Sequence, residues 1–455
     1  MRRPAAVAIT PRMDENLLHD VVKAALAAGA DAAEAVLAER QSLSVTVRAD
    51  ALEEVEREEA RDMGLRVFVG QQQATVSGSD LSADARAKLI ERVVAMARLA
   101  PADPFAGFAP EDRLAKGPGP DLALYDPTEP TAEWLEERAR AAEAATRAVE
   151  GVTNTDGASG GWSTSRWRFV TSNGFSGRHQ ASAFALSASA IAGEGSGMEN
   201  GGDGRRLRWR DDLPAPEIIG AEAGRRAVQR LGARKIDSTT ATVVIENRLA
   251  VSVLSPLING IAGPAVARGV SFLKDKLGQK LFPAGVNLID DPFLPRRLGS
   301  APFDDEGVVG QRRALIDDGV LTTWLLNSAS ARQLGLETTG HASRGLAGPP
   351  GVSTTNLTLE PGELDLAGLM HQAKTGLLVT SMFGPSLNPN NGDWSVGVSG
   401  FWFEGGEIAY PVSEITVAGN LNDFYSRLVV GSDLEIRGAA NAPSLLVEGV
   451  AIAGR

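Results

Sequence analysis

The stretch "SGFWFEGGEIAYPV", residues 399–412, gives the clearest indication of the fold. Aromatic and branched residues lie on both sides of two consecutive glycines, Gly405 and Gly406. A two-residue hairpin turn needs positive φ at both central positions, and glycine adopts positive φ without steric cost. The stretch therefore predicts two antiparallel strands joined by a tight turn.

The same pattern continues over the rest of the chain from about residue 236. Short apolar runs alternate with Gly, Pro, Asn and Asp, which favour turns. These runs include "TATVVIE" at 240–246, "GLLVTSM" at 376–382 and "PSLLVEGVAIAG" at 443–454. We interpret residues 236–455 as a β-rich C-terminal domain.

The first 100 residues are predicted to contain a helix, several strands and a second helix. Residues 14–28 have apolar side chains at helical spacing, and a second helix has an apolar face formed by Leu89, Val93 and Met96. Between them, "SLSVTVR" and "GLRVFVG" alternate apolar and polar residues as half-buried strands do. We assign residues 1–100 to an N-terminal α+β domain.

Residues 101–130 contain seven prolines, which neither a helix nor a central strand accommodates, and we interpret them as a linker. The segment 131–235 then combines a helix capped by Thr131 with strand-like runs. Its glycine-rich part, 193–204, lacks the spacing of a phosphate-binding loop and favours a mobile hairpin loop. The predicted fold class is α+β and multidomain, with N-terminal helix-strand units followed by the β-rich C-terminal domain.

Composition excludes several kinds of function. A net charge of -12 argues against a nucleic-acid-binding surface as the main feature, because phosphate binding needs clustered positive charge. The chain has no cysteine, which excludes disulfides, thiolate nucleophiles and cysteine-based metal sites. We find no signal-peptide pattern at the N-terminus and no membrane-length apolar run, so the cytoplasm is the expected compartment.

Imidazole chemistry depends on four histidines. We interpret His19 and His371 as helix-surface residues and His179 as part of a turn. His341, in the irregular stretch "TTGHASRG", is the most interesting, but a structural hydrogen-bonding role is favoured over catalysis.

Two charged stretches have alternative interpretations. "PFDDEG", residues 302–307, could bind a hard cation through carboxylate oxygens, but a solvated acidic turn is favoured because the alternating EF-hand spacing is absent. "RRLRWR", residues 205–210, could stack on single-stranded nucleic acid, but its alternation favours an amphipathic strand.

A family resemblance covers almost the whole chain and is dense from about residue 300 to 440. Three parts of the sequence closely resemble the TldD/PmbA family, and within it the PmbA branch, also called TldE. They are the stretch from "PFDDEG" to "TTGHASRG", then "TGLLVT", then "GDWSVGVSGFWFEGGEIAYPVSEITVAGNL". The resemblance implies a cytoplasmic peptidase assembled from two chains, in which TldD carries zinc and TldE is its paralogous partner. In TldD an HExxxH helix supplies two histidine ligands and the glutamate that activates water, and a cysteine near the C-terminus is a further ligand.

The metal ligands of TldD have no counterparts here. With "GVSFL" from Gly269 as the anchor and no gaps, the two histidines correspond to Leu254 and Asn259, and the glutamate corresponds to Ser255. The glycine after the second histidine is kept as Gly260. We therefore expect no catalytic residue, metal or cofactor in this chain, and zinc in the partner subunit. The stretch "VSVLSPLINGIAGPAVARG" is interpreted as a former active-site element kept for packing or for lining a cleft.

Three functions follow from these observations, in order of preference. The first is a non-catalytic subunit that pairs with a TldD-like HExxxH-bearing paralogue, or with itself, and helps to admit an unfolded peptide. The second is an independent peptidase that uses the acids of "PFDDEG" and His341 on a metal. The third is a nucleic-acid-associated regulator acting through "RRLRWR", although neither a membrane nor direct nucleic-acid binding is expected.

An unfolded peptide binds most simply by adding a strand to an open sheet edge. "GPPGVSTTNLTLEPG", residues 348–362, is predicted to contain such an edge strand, formed by Thr354, Thr355, Asn356 and Leu357. His341, Arg344 and Asn356 are the candidate residues for lining the peptide cleft.

Overall fold

The computed structural model of the chain describes residues 11–117 and 119–455. The predicted lack of a signal peptide concerns in part residues 1–10, which lie outside the described residues. The architecture is α+β and multidomain with a β-rich C-terminal part, which confirms the predicted fold class. None of the helices in the described part of the chain has the length and apolar character needed to span a bilayer.

The N-terminal half is built on one antiparallel sheet in the order β3-β2-β1-β4-β5-β6. The segments 1–100 and 131–235 both contribute to it, because β1 pairs with β4 from Glu34 opposite Thr171 to Val47 opposite Ala158. Its strands are β1 (Ala32–Arg48), β2 (Ala51–Val69), β3 (Gln72–Gly78), β4 (Val152–Thr171), β5 (Ser176–Ala192) and β6 (Glu199–Leu207). Its helices are α1 (Pro11–Ala27), α2 (Ala83–Leu99), α3 (Ala132–Arg147) and α4 (Pro216–Val228).

All four helices cover the same face of this sheet. Odd-numbered residues of β1, such as Leu37 and Val45, are buried under α1 to α3, as strand alternation requires. None of the helices in the described part of the chain covers the even-numbered face. The predicted apolar face of α2 is partly wrong, because Met96 is 44% exposed while Ile90 and Ala97 are buried.

The described residues of the proline-rich segment 101–130 form a strap between the two halves of the chain. The amide of Ala115 donates to the carbonyl of Gly307 at 2.8 Å, and the amide of Arg296 donates to the carbonyl of Leu122 at 2.8 Å. On the other side, the amide of Ser182 in β5 donates to the carbonyl of Leu124 at 3.0 Å. The strap therefore exchanges main-chain hydrogen bonds with both the N-terminal sheet and the C-terminal domain.

The C-terminal domain contains a main sheet in the order β16-β15-β14-β7-β19-β17 and a smaller sheet in the order β10-β9-β8-β13-β18. β16 also pairs with β19, which closes five strands of the main sheet into a barrel. The strands are β7 (Thr239–Ile245), β8 (Leu288–Asp290), β9 (Arg313–Asp317), β10 (Val320–Leu321), β11 (Ala342–Ser343), β12 (Gly351–Val352), β13 (Leu357–Leu359), β14 (Thr375–Leu387), β15 (Asp393–Glu404), β16 (Glu407–Asn420), β17 (Val429–Val430), β18 (Ala440–Asn441) and β19 (Leu445–Ala453). The helices are α5 (Asn247–Gly260), α6 (Gly263–Ala267), α7 (Ser328–Leu334), α8 (Leu366–Ala373) and α9 (Leu421–Ser426).

The hairpin predicted from "SGFWFEGGEIAYPV" is confirmed. Gly405 and Gly406 form the turn between β15 and β16 with φ of 62° and 87°. One other local prediction is correct only in part: residues 193–198 connect the antiparallel strands β5 and β6 as a hairpin loop, but residues 199–204 belong to β6. The prediction of an edge strand is wrong, because β13 lies between β8 and β18 and both its edges are paired.

Candidate functional site

Helix α5 contains the three positions that match metal-site residues in the resemblance. Its buried side packs into the core of the C-terminal domain, and its exposed side carries a polar stripe at helical spacing. The stripe is formed by Arg248, Ser252, Ser255 and Asn259. The helix therefore presents a neutral hydroxyl and amide surface with one arginine at its start.

The matched positions point to different sides of α5. Leu254 is fully buried in the domain core, whereas Ser255 and Asn259 are exposed. The Ser255 hydroxyl donates to the carbonyl of Val251 at 2.9 Å, a bond within the helix. Leucine has no ligand atom, and a neutral hydroxyl and amide are poor ligands for zinc, so these residues do not fit the family's zinc. Within residues 11–117 and 119–455, no group of three or more His, Asp or Glu side chains could hold a metal ion.

The end of α5 shows a packing reason for the retained glycine. A Cβ on Gly260 would lie 2.8 Å from the side chain of Leu273, closer than real contacts allow. The hydroxyl of Ser271 donates to the carbonyl of Gly260 at 2.6 Å and accepts from the amide of Leu273 at 3.0 Å. The segment after Gly269 thus folds back on the end of the helix and holds it in place.

An open strand edge begins next to α5. β7 pairs with β14 only from Gly376 to Val379, so the outer edge of residues 380–387 has no strand partner among the described residues. The Arg248 guanidinium donates to the carbonyl of Thr380 at 3.4 Å, which places this edge beside the polar stripe. On the same stretch, the Phe383 side chain is 53% exposed. The sequence does not predict this open edge, because residues 380–387 continue the same strand as the preceding four residues, which are paired with β7.

The three predicted cleft residues are buried and bound to groups of this chain. His341 is bonded to Thr339 Oγ1 at 2.8 Å through Nδ1 and to Asp290 Oδ2 at 3.1 Å through Nε2. The side-chain amide of Asn356 donates to Ser300 Oγ at 2.7 Å. The Arg344 side chain is fully buried. A role for His341, Arg344 and Asn356 at a peptide surface stays a prediction.

Arg344 belongs to a charged cluster between the two halves of the molecule. It pairs with Glu34 of β1, which also accepts from Arg66 of β2 at 3.2 Å. All three side chains are almost completely buried. In the sequence, Glu34 is a charged residue within the apolar run at the start of β1, which could have indicated a buried ion pair. Its partner Arg344, however, lies 310 residues away in the sequence.

The acidic stretch "PFDDEG" borders the same cluster, and the prediction of a solvated turn is wrong. Asp304 accepts from the amides of Val308 and Ala342 at 2.9 Å each. Glu306 accepts from the Ser328 amide and hydroxyl at 2.8 and 2.6 Å. Burial raises the pKa of Asp304 and of Glu306 above the usual carboxyl range. These carboxyl groups anchor loops and are not free to bind a cation.

Arg205 and Arg208 of "RRLRWR" bind groups of this chain, whereas Arg206 is exposed. Arg205 pairs with Asp203 at 2.9 Å and with Glu435 at 2.6 Å. Arg208 donates to main-chain carbonyls, including that of Ser182 at 3.1 Å, and burial lowers the pKa of Arg208 to about 10. The predicted strand β6 is present but ends at Leu207.

Other predicted surface residues lie as expected. His19 is exposed on α1, and His371 is exposed near the end of α8. The ring of His371 lies 3.6 Å from the carboxylate of Glu407, next to the hairpin turn. His179, predicted in a turn, instead lies within β5, where burial lowers the pKa of its ring to about 4.

Comparison with known proteins shows that this fold is that of a metallopeptidase family. Three family descriptions match in order along the chain: PmbA/TldA metallopeptidase domain 1 at residues 33–97, the central domain at 125–231 and the C-terminal domain at 238–454. The chain belongs to the PmbA/TldD metallopeptidase family.

Individual relatives match nearly the full length. Metalloprotease PmbA from Escherichia coli O157:H7 is 37% identical over 445 residues, covering 97% of both chains. A metalloprotease PmbA homolog from Haemophilus influenzae is 36% identical, covering 95% of this chain and 94% of the relative.

Solved structures show the same fold. A protein from Bacteroides thetaiotaomicron described as a modulator of DNA gyrase has a TM-score of 0.90 at 29% identity, covering 98% of this chain and 100% of that chain. TldE from Thermococcus kodakarensis has a TM-score of 0.85 at 20% identity, covering 96% of this chain and all of that chain. At that identity the likeness to TldE concerns the fold alone.

Proposed function

We propose that the chain is the TldE-like, non-catalytic subunit of a TldD-TldE-type peptidase that acts on unfolded peptides. One observation carries the proposal: the positions that match the zinc ligands and the catalytic glutamate hold Leu254, Asn259 and Ser255. The chain also has no cysteine to complete a zinc site. Zinc and the catalytic glutamate would then belong to an HExxxH-bearing partner.

The surface beside α5 supports a role in shaping a cleft. The polar stripe offers neutral hydrogen-bonding groups, and the open edge of residues 380–387 offers main-chain donors and acceptors. An extended peptide binds such an edge with little dependence on its sequence, because main-chain bonds supply the affinity. A subunit of this kind would hold a peptide while its partner cleaves it.

The two alternative functions receive no support from the geometry. An independent peptidase would need accessible acids and an accessible histidine, but the acids of 302–307 and His341 are engaged within the protein. A nucleic-acid regulator would need free arginines, but Arg205 and Arg208 bind groups of this chain. We retain the cytoplasm as the proposed compartment.

Co-expression with an HExxxH-bearing paralogue tests the proposal. We expect a stable complex that cleaves flexible peptides, spares folded proteins and contains zinc only in the partner. Changing the partner's glutamate to glutamine should abolish cleavage and leave the complex intact, because that residue acts on water. Peptide products are followed by mass spectrometry and metal content by elemental analysis. Cleavage by this chain alone, or one tightly held zinc per isolated chain, would show that the catalytic centre lies here.

A further inference from the structure

The first part of β2 is an open edge of the N-terminal sheet. β3 pairs with β2 only from Met63 to Val69. Residues 51–62 therefore have β1 on one side and, in the described part of the chain, no strand on the other. Residues 51–59 are all exposed, although β1 beside them is mostly half-buried or buried. Among the described residues, no strand occupies the main-chain donors and acceptors along this edge, so they can pair with an added strand.

This edge is strongly acidic. The sequence of residues 51–62, "ALEEVEREEARD", contains six acidic and two basic side chains. Arg57 already pairs with Glu59 at 3.1 Å and with Glu129 at 2.9 Å. By contrast, no basic side chain of residues 11–117 and 119–455 forms an ion pair with Glu54, Glu56 or Glu58.

Glu54, Glu56 and Glu58 lie on one face of the sheet. Glu54, Glu56 and Glu58 are directly opposite Thr46, Ser44 and Ser42 of β1, and directly opposite residues of antiparallel strands share a face. This is the even-numbered face of β1, which no helix within residues 11–117 and 119–455 covers. The surface continues across β4 with Ser159, Gly161 and Ser163. A row of negative charges thus borders a floor of small, mostly polar side chains.

We propose that residues 51–62 of β2 dock an extended, lysine- or arginine-rich polypeptide segment, which adds to the sheet as a seventh strand. Every second side chain of such a strand faces the helix-free surface, where cations meet Glu54, Glu56 and Glu58. The same charges oppose pairing between two copies of this chain, since glutamates would then face glutamates. The edge therefore disfavours pairing with the same edge of a second copy and favours pairing with a cationic strand.

The inference rests on the proposed function in one respect: the docked segment would be an unfolded peptide of the kind that this subunit admits. It is tested by binding to the isolated chain, without a partner and without cleavage. Loss of cleavage by the pair and loss of peptide binding by this chain are therefore separate results.

The first experiment measures fluorescence anisotropy with two labelled peptides of equal length, one alternating lysine with threonine and one alternating glutamate with threonine. We expect the lysine peptide to bind, more weakly as salt is raised, and the glutamate peptide not to bind. The variant E54K/E56K/E58K should bind the lysine peptide at least about tenfold more weakly, from three lost surface ion pairs. Circular dichroism should show that the exposed substitutions leave the fold unchanged.

A matched control makes the same change of net charge elsewhere. Glu363, Glu404 and Glu448 are exposed on the C-terminal domain, and E363K/E404K/E448K should bind the lysine peptide as the unmodified chain does. If both triple variants bind the lysine peptide equally weakly, net charge alone explains the effect and the proposal is overturned. Equal binding of both peptides would also overturn it.

Main-chain pairing is tested with N-methylated lysine peptides. Only every second amide of an added strand points toward the edge, so methylation of one alternating set should abolish binding and methylation of the other set should be tolerated. If both sets bind equally well, the edge is an electrostatic patch and no strand is added. If neither peptide binds at low salt, residues 51–62 are not a docking edge for cationic segments.

Discussion

The hairpin turn between β15 and β16 allows one prediction to be worked out from the structure. Gly406 has a φ of 87°, and a Cβ added there would meet the ring and the Cα of His371 in α8. Gly405 has a φ of 62°, and a Cβ there would meet nothing within 4 Å. The two neighbouring glycines thus separate the cost of positive φ from the cost of a steric clash.

The expected magnitudes differ for the two positions. Gly405→Ala should cost about 1–2 kcal/mol, because a left-handed backbone brings Cβ close to the following carbonyl oxygen. Gly406→Ala should cost the same plus about 1–3 kcal/mol for displacing α8 from the turn. At about 2–4 °C per kcal/mol for a domain of this size, the second substitution should lower the unfolding midpoint several degrees further than the first.

Differential scanning calorimetry and urea unfolding of both variants measure these costs. A His371→Ala background removes the ring but keeps the Cα, so it should restore part of the stability lost in Gly406→Ala and none of that lost in Gly405→Ala. Equal destabilisation by the two glycine substitutions would refute the steric argument. Unchanged midpoints in both would refute the positive-φ turn itself.

Three further predictions concern helix α5 and the buried charges. Leu254→His should destabilise the protein by about 2–5 kcal/mol, because it exchanges core packing for an unpartnered imidazole, whereas Asn259→His on the exposed stripe should leave the unfolding midpoint nearly unchanged. Glu34→Ala should lower the free energy of unfolding, measured with urea, by about 3–5 kcal/mol, because Arg344 and Arg66 lose their buried counter-charge. The raised carboxyl pKa values mean that the folded protein holds protons more tightly than the unfolded chain, so the free energy of unfolding should fall as pH rises above about 4. Glu306→Gln should flatten that fall, and a free energy of unfolding that rises over the same range would contradict it.

Local patterns in the sequence were sufficient for much of the fold. The turn at Gly405 and Gly406 depends only on neighbouring residues, and the helix α1 follows from the helical spacing of apolar side chains in residues 14–28. Leu254 and Asn259 could be matched to a motif, but only the structure shows that one is in the core and the other on the surface.

The sequence failed where distant segments decide the environment of a residue. Met96 fits the apolar spacing of α2, yet the sheet lies on the side of Ile90. Glu34 and Arg344 meet through the packing of two halves of the chain, and no spacing rule connects them. The open edges of β2 and β14 depend on where β3 and β7 stop, which a strand's own residues do not specify.

Barrel closure in the C-terminal domain has a consequence for the order of events during protein synthesis. β7 pairs with β19, from Ile245 opposite Leu445 to Thr239 opposite Ile452. One edge of β7 therefore has no native partner until about 200 further residues have been made. At about 5–20 residues per second, that edge is exposed for at least about 10 s, as a template for pairing with other chains. Protection of the nascent chain during this interval, by a chaperone or by rapid covering with α5, would then limit how much of the protein reaches its native state.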